Sequence, residues 1–149
     1  QLPIDRIIDE GDTVSLSDTT LTAHLQPGHT KGCLAWSLEL EENNRTYYTF
    51  IECSLNGQFL QYVDNENYPE IAEDIRRTYR KARDFPVEVF LSSHGVFYGL
   101  EEKHQRLLNQ DEGDPNPFID PDGYIAHVIE FERTFEETLA RQLNDAGNK

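Results

Sequence analysis

Apolar and polar positions alternate through TVSLSDTTLTAHL (13–25), where Val14 and Leu16, then Leu21, Ala23 and Leu25, are separated by polar neighbours. A period of two sends successive side chains to opposite faces of a strand, so the segment predicts two short strands about a Ser-Asp turn. After the Pro27-Gly28 punctuation, CLAWSLEL (Cys33–Leu40) and YYTFIEC (Tyr47–Cys53) predict a second strand pair joined by a polar turn, Glu41–Arg45. From Tyr68 to Ala82 the period changes. Ile71, Ile75, Tyr79 and Ala82 recur at i, i+4, i+8 and i+11, one face of a helix, with Pro69 in its first turn. Pro86 ends that helix, and VEVFL (Val87–Leu91) predicts a short buried strand running directly into SSHG. Leu100–Leu108 predicts a shorter helix, and Asp111–Pro121 a loop rich in Pro, Asp and Gly. Gly123–Leu143 predicts a long helix whose stripe of Tyr124, Val128, Phe131, Phe135 and Leu139 belongs to the core, with Asn144–Lys149 frayed beyond it. Strands followed by helix, strand and polar loop indicate an α/β (α+β) sheet, in which ligands gather at the carboxyl ends of strands.

Composition narrows this picture. A chain of 149 residues without a repeat or linker is expected to form one domain, and 37% hydrophobic residues supply a core. The 28 acidic residues against 13 basic ones give a net charge of −15, which repels a phosphate backbone and sets nucleic acid aside as a ligand. The pairs Glu41–Glu42, Glu101–Glu102 and Glu136–Glu137 read as solvated faces. No apolar run approaches the ~20 residues that span a bilayer, and QLPIDRIIDEGD has neither the basic start nor the apolar core of a signal peptide. An export signal would therefore lie upstream. Cys33 and Cys53 lack the close spacing of a zinc ribbon or redox motif, and composition leaves both two free thiols and one bridge open.

Two segments carry candidate chemistry. In QPGHTKG (26–32) a histidine, His29, sits in a glycine-bracketed loop between strands, where the backbone can approach closely. In LSSHG (91–95) a second histidine, His94, ends a buried strand and precedes glycine. Neutral imidazole is a common zinc ligand, and two such loops on one sheet can converge on one ion. His24, His104 and His127 lie in a strand or on helices near charged residues and read as solvated or core-edge side chains.

PGHTKG, IECS, NYPEIAEDIRRTYRKARDFPVEVFLSSHGVFYGLEEK and NPFIDPDGYIAHVIEFERTFEETLARQ, in this order and spacing, resemble the C-terminal half of the subclass B3 metallo-β-lactamases over nearly the whole chain. The resemblance implies one αβ half of a four-layer αββα sandwich, a mixed sheet covered by helices. It implies that His29 and His94 are metal ligands, one to each of two zinc ions. It places Ser54 where other subclasses carry a cysteine ligand, orienting zinc-bound water or substrate; otherwise Ser54 is a strand-end serine satisfying backbone. It also implies a Cys33–Cys53 disulfide and a periplasmic or secreted setting. The activity implied for a complete enzyme is metal-assisted hydrolysis of the β-lactam amide. Another hydrolase of the same superfamily, lactonase- or thioesterase-like, and a non-catalytic self-assembling fragment are the competing readings.

One departure from the family decides what the chain can do alone. Family members carry an HxHxDH motif in their first half, and no such string occurs between Gln1 and Lys149. The expected partners are therefore a β-lactam substrate and either the missing N-terminal half or a second copy in a homodimer, covering an otherwise exposed apolar sheet face. A catalytic zinc needs about three protein donors plus water. The purified 149-residue chain is accordingly expected to bind zinc weakly and to turn over nitrocefin poorly or not at all; turnover at an ordinary enzymatic rate is the contrary result.

Overall fold

A computed structural model of the chain describes residues 3–55, 57 and 59–148. Four strands follow one another as an antiparallel meander: β1 (Thr13–Leu16), β2 (Thr19–Leu25), β3 (Leu34–Glu42) and β4 (Arg45–Ile51). Helix α1 (Ile71–Asp84) then crosses over to β5 (Val89–Leu91), which pairs parallel to β4 and makes the sheet mixed. A 3-10 turn (Gly95–Tyr98), α2 (Leu100–Leu108) and the long α3 (Pro121–Gly147) complete the chain. No helix among the described residues is long and apolar enough to cross a membrane.

Boundaries move from the sequence expectation for local reasons. The β3–β4 turn shrinks from Glu41–Arg45 to Asn43-Asn44, both at positive φ (53° and 58°), a conformation asparagine tolerates and tight hairpins demand. Pro69 lies before α1 rather than in its first turn. Asn65 Oδ1 accepts from the amide of Tyr68 at 3.0 Å, closing a turn there, and the Glu70 carbonyl begins the helical bonds to Glu73 and Asp74. Phe85, forced extended by Pro86, ends α1. Val87 is buried ahead of β5 rather than within it. Helix α3 starts earlier than Gly123 because Pro121 occupies its first turn and Asp120 accepts from the Gly123 amide at 2.9 Å. It also continues to Gly147, so Asn144–Gly147 are helical rather than frayed; Lys149 lies outside the described residues.

Strand register sorts the side chains into two faces. Ser37, Phe50 and Phe90 stand in one row, with Ala35 and Tyr48 beside it. These meet Ile71, Ile75, Tyr79 and Ala82 of α1 and Tyr124, Val128, Phe135 and Leu139 of α3 in one core. Phe50 is fully buried, its ring 4.8 Å from Phe85 and 6.0 Å from Tyr124. The opposite face carries Leu21, Leu25, Leu34, Trp36, Leu38, Leu40, Tyr47, Ile51, Val89 and Leu91, with Val14 and Leu16 on the edge strand. None of these belongs to the core cluster, and Leu16 is 82% exposed. Among the described residues the sheet is thus covered by helices on one side, and the other is mainly apolar with Thr19, Glu42, Arg45 and Thr49 interspersed.

His24 is a core-edge residue. Its Nε2 is 2.8 Å from Ser37 Oγ, and its ring packs edge-on against Phe85 at 4.8 Å. Burial disfavours the imidazolium and outweighs the attraction of Glu10, so the pKa falls below its ordinary 6.5. The native state therefore binds this proton less readily than the unfolded chain. Its contribution to stability is present above about pH 6.5 and is lost as pH falls through the lowered native value. The urea midpoint is expected to decline on acidification from pH 7 to pH 5, and His24→Gln is expected to flatten that decline.

Candidate functional site

Register places the carboxyl ends of β2, β4 and β5 along one rim, since Trp36, Ile51 and Leu91 share a row and Leu25 lies just beyond it. Three loops leave this rim, and each carries one residue singled out in the sequence. A cavity of about 350 Å³ opens between them, lined by His29, Ser54 and His94 together with Cys53, Ser93 and Phe97.

The His29 loop is fixed to α1. Thr78 Oγ1 donates to the Pro27 carbonyl at 2.7 Å, and Gln26 N–H donates to the Cys33 carbonyl at 2.9 Å, closing the loop at its base. Gly28, at φ 151°, approaches the helix so closely that a Cβ there would lie 2.5 Å from Ile75 Cγ1. His29 stands exposed at the tip.

The Ser54 loop is bound from three directions. The Cys33–Cys53 disulfide, with Cα atoms 5.9 Å apart, ties the end of β4 to the start of β3. Tyr79 Oη donates to the Leu55 carbonyl at 2.7 Å from α1, and burial raises the Tyr79 pKa well above its ordinary range. Gln142 reaches in from α3, accepting from Tyr62 N–H at 2.7 Å and donating to the Leu60 carbonyl at 2.8 Å. Tyr62 donates to the Gly57 carbonyl, and its pKa is pushed up by burial to about 12.

His94 precedes the 3-10 turn, its carbonyl accepting from Phe97 N–H at 3.0 Å. Its ring stands perpendicular to that of Phe97 at 5.2 Å. Behind Phe97 lie Phe131 at 5.2 Å and His127 at 6.3 Å.

His127 departs from the solvated or core-edge expectation. It is 8% exposed, and its Nε2 is 2.9 Å from Oε2 of Glu52, itself 3% exposed. Its position on the stripe between Tyr124 and Phe131 carried the signal, because a histidine at i+3 within an apolar stripe faces the core. Glu52, Tyr79 and Gln142 also hold the site together and were not legible as such. His104 is exposed, as expected.

The same architecture recurs in solved structures. The subclass B3 metallo-β-lactamase of Bradyrhizobium japonicum superposes with a TM-score of 0.87 at 32% identity, over 97% of this chain and 54% of that one. The native metallo-β-lactamase of Legionella gormanii gives 0.87 at 34%, over 95% and 53%. A metallo-β-lactamase of Cronobacter sakazakii gives 0.83 at 31%, over 95% and 52%. The chain is one half of a subclass B3 metallo-β-lactamase fold. It spans about half the length of the metallo-β-lactamases it matches. No protein-family model matches the sequence.

The fold family implies zinc, and the donor set can be tested against that ion. His29 and His94 bring two imidazoles to the cavity, and a serine hydroxyl is a poor zinc donor. Among the described residues no group of three His, Cys, Asp or Glu side chains is assembled that could hold a metal. This half of the metallo-β-lactamase fold therefore does not fit a zinc ion by itself.

The loop that carries Ser54 depends on contacts from outside the cavity. Tyr79→Phe keeps the ring and removes the hydrogen bond to Leu55, and is expected to cost about 1–2 kcal/mol in urea unfolding, with faster amide exchange in residues 53–55 and 59–62.

Proposed function

We propose that this chain is the half of a zinc-dependent β-lactamase that contributes His29 and His94 to the metal centre, with Ser54 beside them, and that it acts only when a second polypeptide segment completes the donor set. The observation that carries this reading is the cavity at the strand-end rim, where His29, Ser54 and His94 meet in a fold otherwise matched by metallo-β-lactamases. The substrate class follows from those relatives, as hydrolysis of the β-lactam amide.

The segment that completes the site also covers the bare sheet face. An apolar surface of this extent is costly to leave in water, and the matched enzymes are about twice as long as this chain. An N-terminal half of the family fold, bearing an HxHxDH motif, satisfies both needs at once. A second copy covers the face but brings its own charge of −15 against the first. The Cys33–Cys53 bridge suits an oxidising compartment, the periplasm or the extracellular space.

Reconstitution tests the whole reading. Mixing or co-expressing this chain with a matching N-terminal half is expected to restore nitrocefin hydrolysis that chelator abolishes. His29→Ala and His94→Ala are each expected to lower that activity by at least the roughly ten- to hundredfold that loss of a supporting group around a metal site costs. A well-folded, zinc-loaded complex without hydrolysis would overturn the β-lactamase reading. Sedimentation of the chain alone reports the other occupant, since a two-fold dimer is expected there if no complementing half is supplied.

A further inference from the structure

Glu52 is the residue that follows β4, and its amide continues the parallel pairing by donating to the Leu91 carbonyl at 2.8 Å. Its carboxylate points inward, its side chain 1% exposed, and meets three donors from three parts of the chain. Oε1 accepts from Leu55 N–H at 3.3 Å, on the loop that carries Ser54. The same oxygen accepts from Ser92 Oγ at 2.9 Å, on the loop that carries His94. Oε2 lies 2.9 Å from His127 Nε2, on α3. The His127 ring packs 4.5 Å from Phe131 and 6.3 Å from Phe97, and Phe97 is the wall against which His94 stands.

We propose that Glu52 is the positioning residue of the cavity: one buried carboxylate that clamps the Ser54 loop, the His94 loop and the aromatic wall behind His94 to one another. The significance of the clamp for catalysis rests on the β-lactamase reading; its geometry does not. Stability alone does not account for a carboxylate here. Removing a carboxylate from water carries a heavy desolvation penalty, and a buried ionic group is often replaceable by an apolar side chain of similar volume without loss. An apolar residue at position 52 would stand on the same sheet face as Phe50 and could be buried as the rest of this core is, but it would offer the two loops no common acceptor. A rim made of separate loops has no backbone ladder to hold its parts in register. A single anion with directional bonds to each supplies that constraint.

The two oxygens divide the work, and this division makes the proposal testable. In Glu52→Gln the amide oxygen can still accept from Leu55 and Ser92, while its NH2 donates to His127 Nε2 if that ring carries its proton on Nδ1. Glu52→Leu removes every acceptor. Ser92→Ala cuts only the arm to the His94 loop.

The experiment is amide hydrogen exchange and imidazole NMR on the isotope-labelled 149-residue chain, without metal or substrate. In Ser92→Ala, exchange at residues 92–95 is expected to rise by about tenfold and the His94 ring signals to shift, while α1 amides keep their wild-type rates. Glu52→Leu is expected to loosen residues 53–55 and 92–97 together, and Glu52→Gln to restore both loops. The proposal is overturned if Ser92→Ala leaves the His94 loop unchanged. It is likewise overturned if the acceleration spreads evenly through α1 and the sheet, the mark of general stabilisation, or if Glu52→Gln loosens the loops. Should Glu52→Leu fail to fold, the other two variants decide the matter. Because no readout depends on hydrolysis, failure of the reconstituted enzyme would count against the proposed function and leave the clamp standing, and the reverse holds equally.

Discussion

Each strand of this sheet sends alternate side chains to two faces, and among the described residues helices cover one of them. Where α1 and α3 cover the sheet, Phe50, Phe90, Tyr79, Tyr124 and Phe135 form a continuous aromatic core. On the other side Trp36, Ile51 and Leu91 stand in one row with Leu38, Val89 and Leu25 around them, and none of these belongs to the core cluster. Burial of apolar surface is the main force available to a fold of this size, and this face of the sheet leaves much of that force unused. The candidate site shares this incompleteness. It sits at the rim of the same sheet, where two imidazoles are gathered and the donor count falls short of a zinc centre.

Polar groups within the covered layer occur where elements must be held at a fixed offset. Lys103 is buried and pairs with Asp120 at 2.8 Å, joining α2 to the start of α3, with its ammonium 4.8 Å from the Phe90 ring. Glu52 and His127 play the corresponding part between the strand ends and α3. Around the rim the Ser54 loop is bonded by Tyr79 and Gln142 and the His29 loop by Thr78, so both helices contribute directly to the shape of the cavity. The helices therefore do more than cover the sheet.

The elements were legible in the sequence because their periods were clean. Alternation in TVSLSDTTLTAHL and the i, i+4, i+8 spacing of Ile71, Ile75 and Tyr79 each admit one reading, and both elements formed. Element ends were less legible, because they depend on local hydrogen bonds such as Asp120 to Gly123 and on the left-handed tolerance of Asn43 and Asn44. His29, Ser54 and His94 were visible as polar residues in glycine- or serine-rich loops at strand ends. Glu52 was not, since an acidic residue at the end of a strand looks solvated until the helix bearing its partner is in place. His127 is 75 positions away in the sequence, and its pairing is a property of the tertiary fold alone.

The parallel pairing of β4 with β5 has a consequence for how the molecule comes together. Strands β1 to β4 are joined by tight hairpins or one short loop, so the meander can form from neighbouring contacts. Strand β5 reaches its place only after the crossover through α1 has closed, and closing a long loop precedes any reward from the contacts it makes. The His94 loop hangs from β5, whereas the His29 loop belongs to the meander. A nascent chain would thus carry the first imidazole on an assembled meander before the strand bearing the second is in place, and the cavity takes shape only once β5 and then α3, which brings Gln142 to the Ser54 loop, have docked.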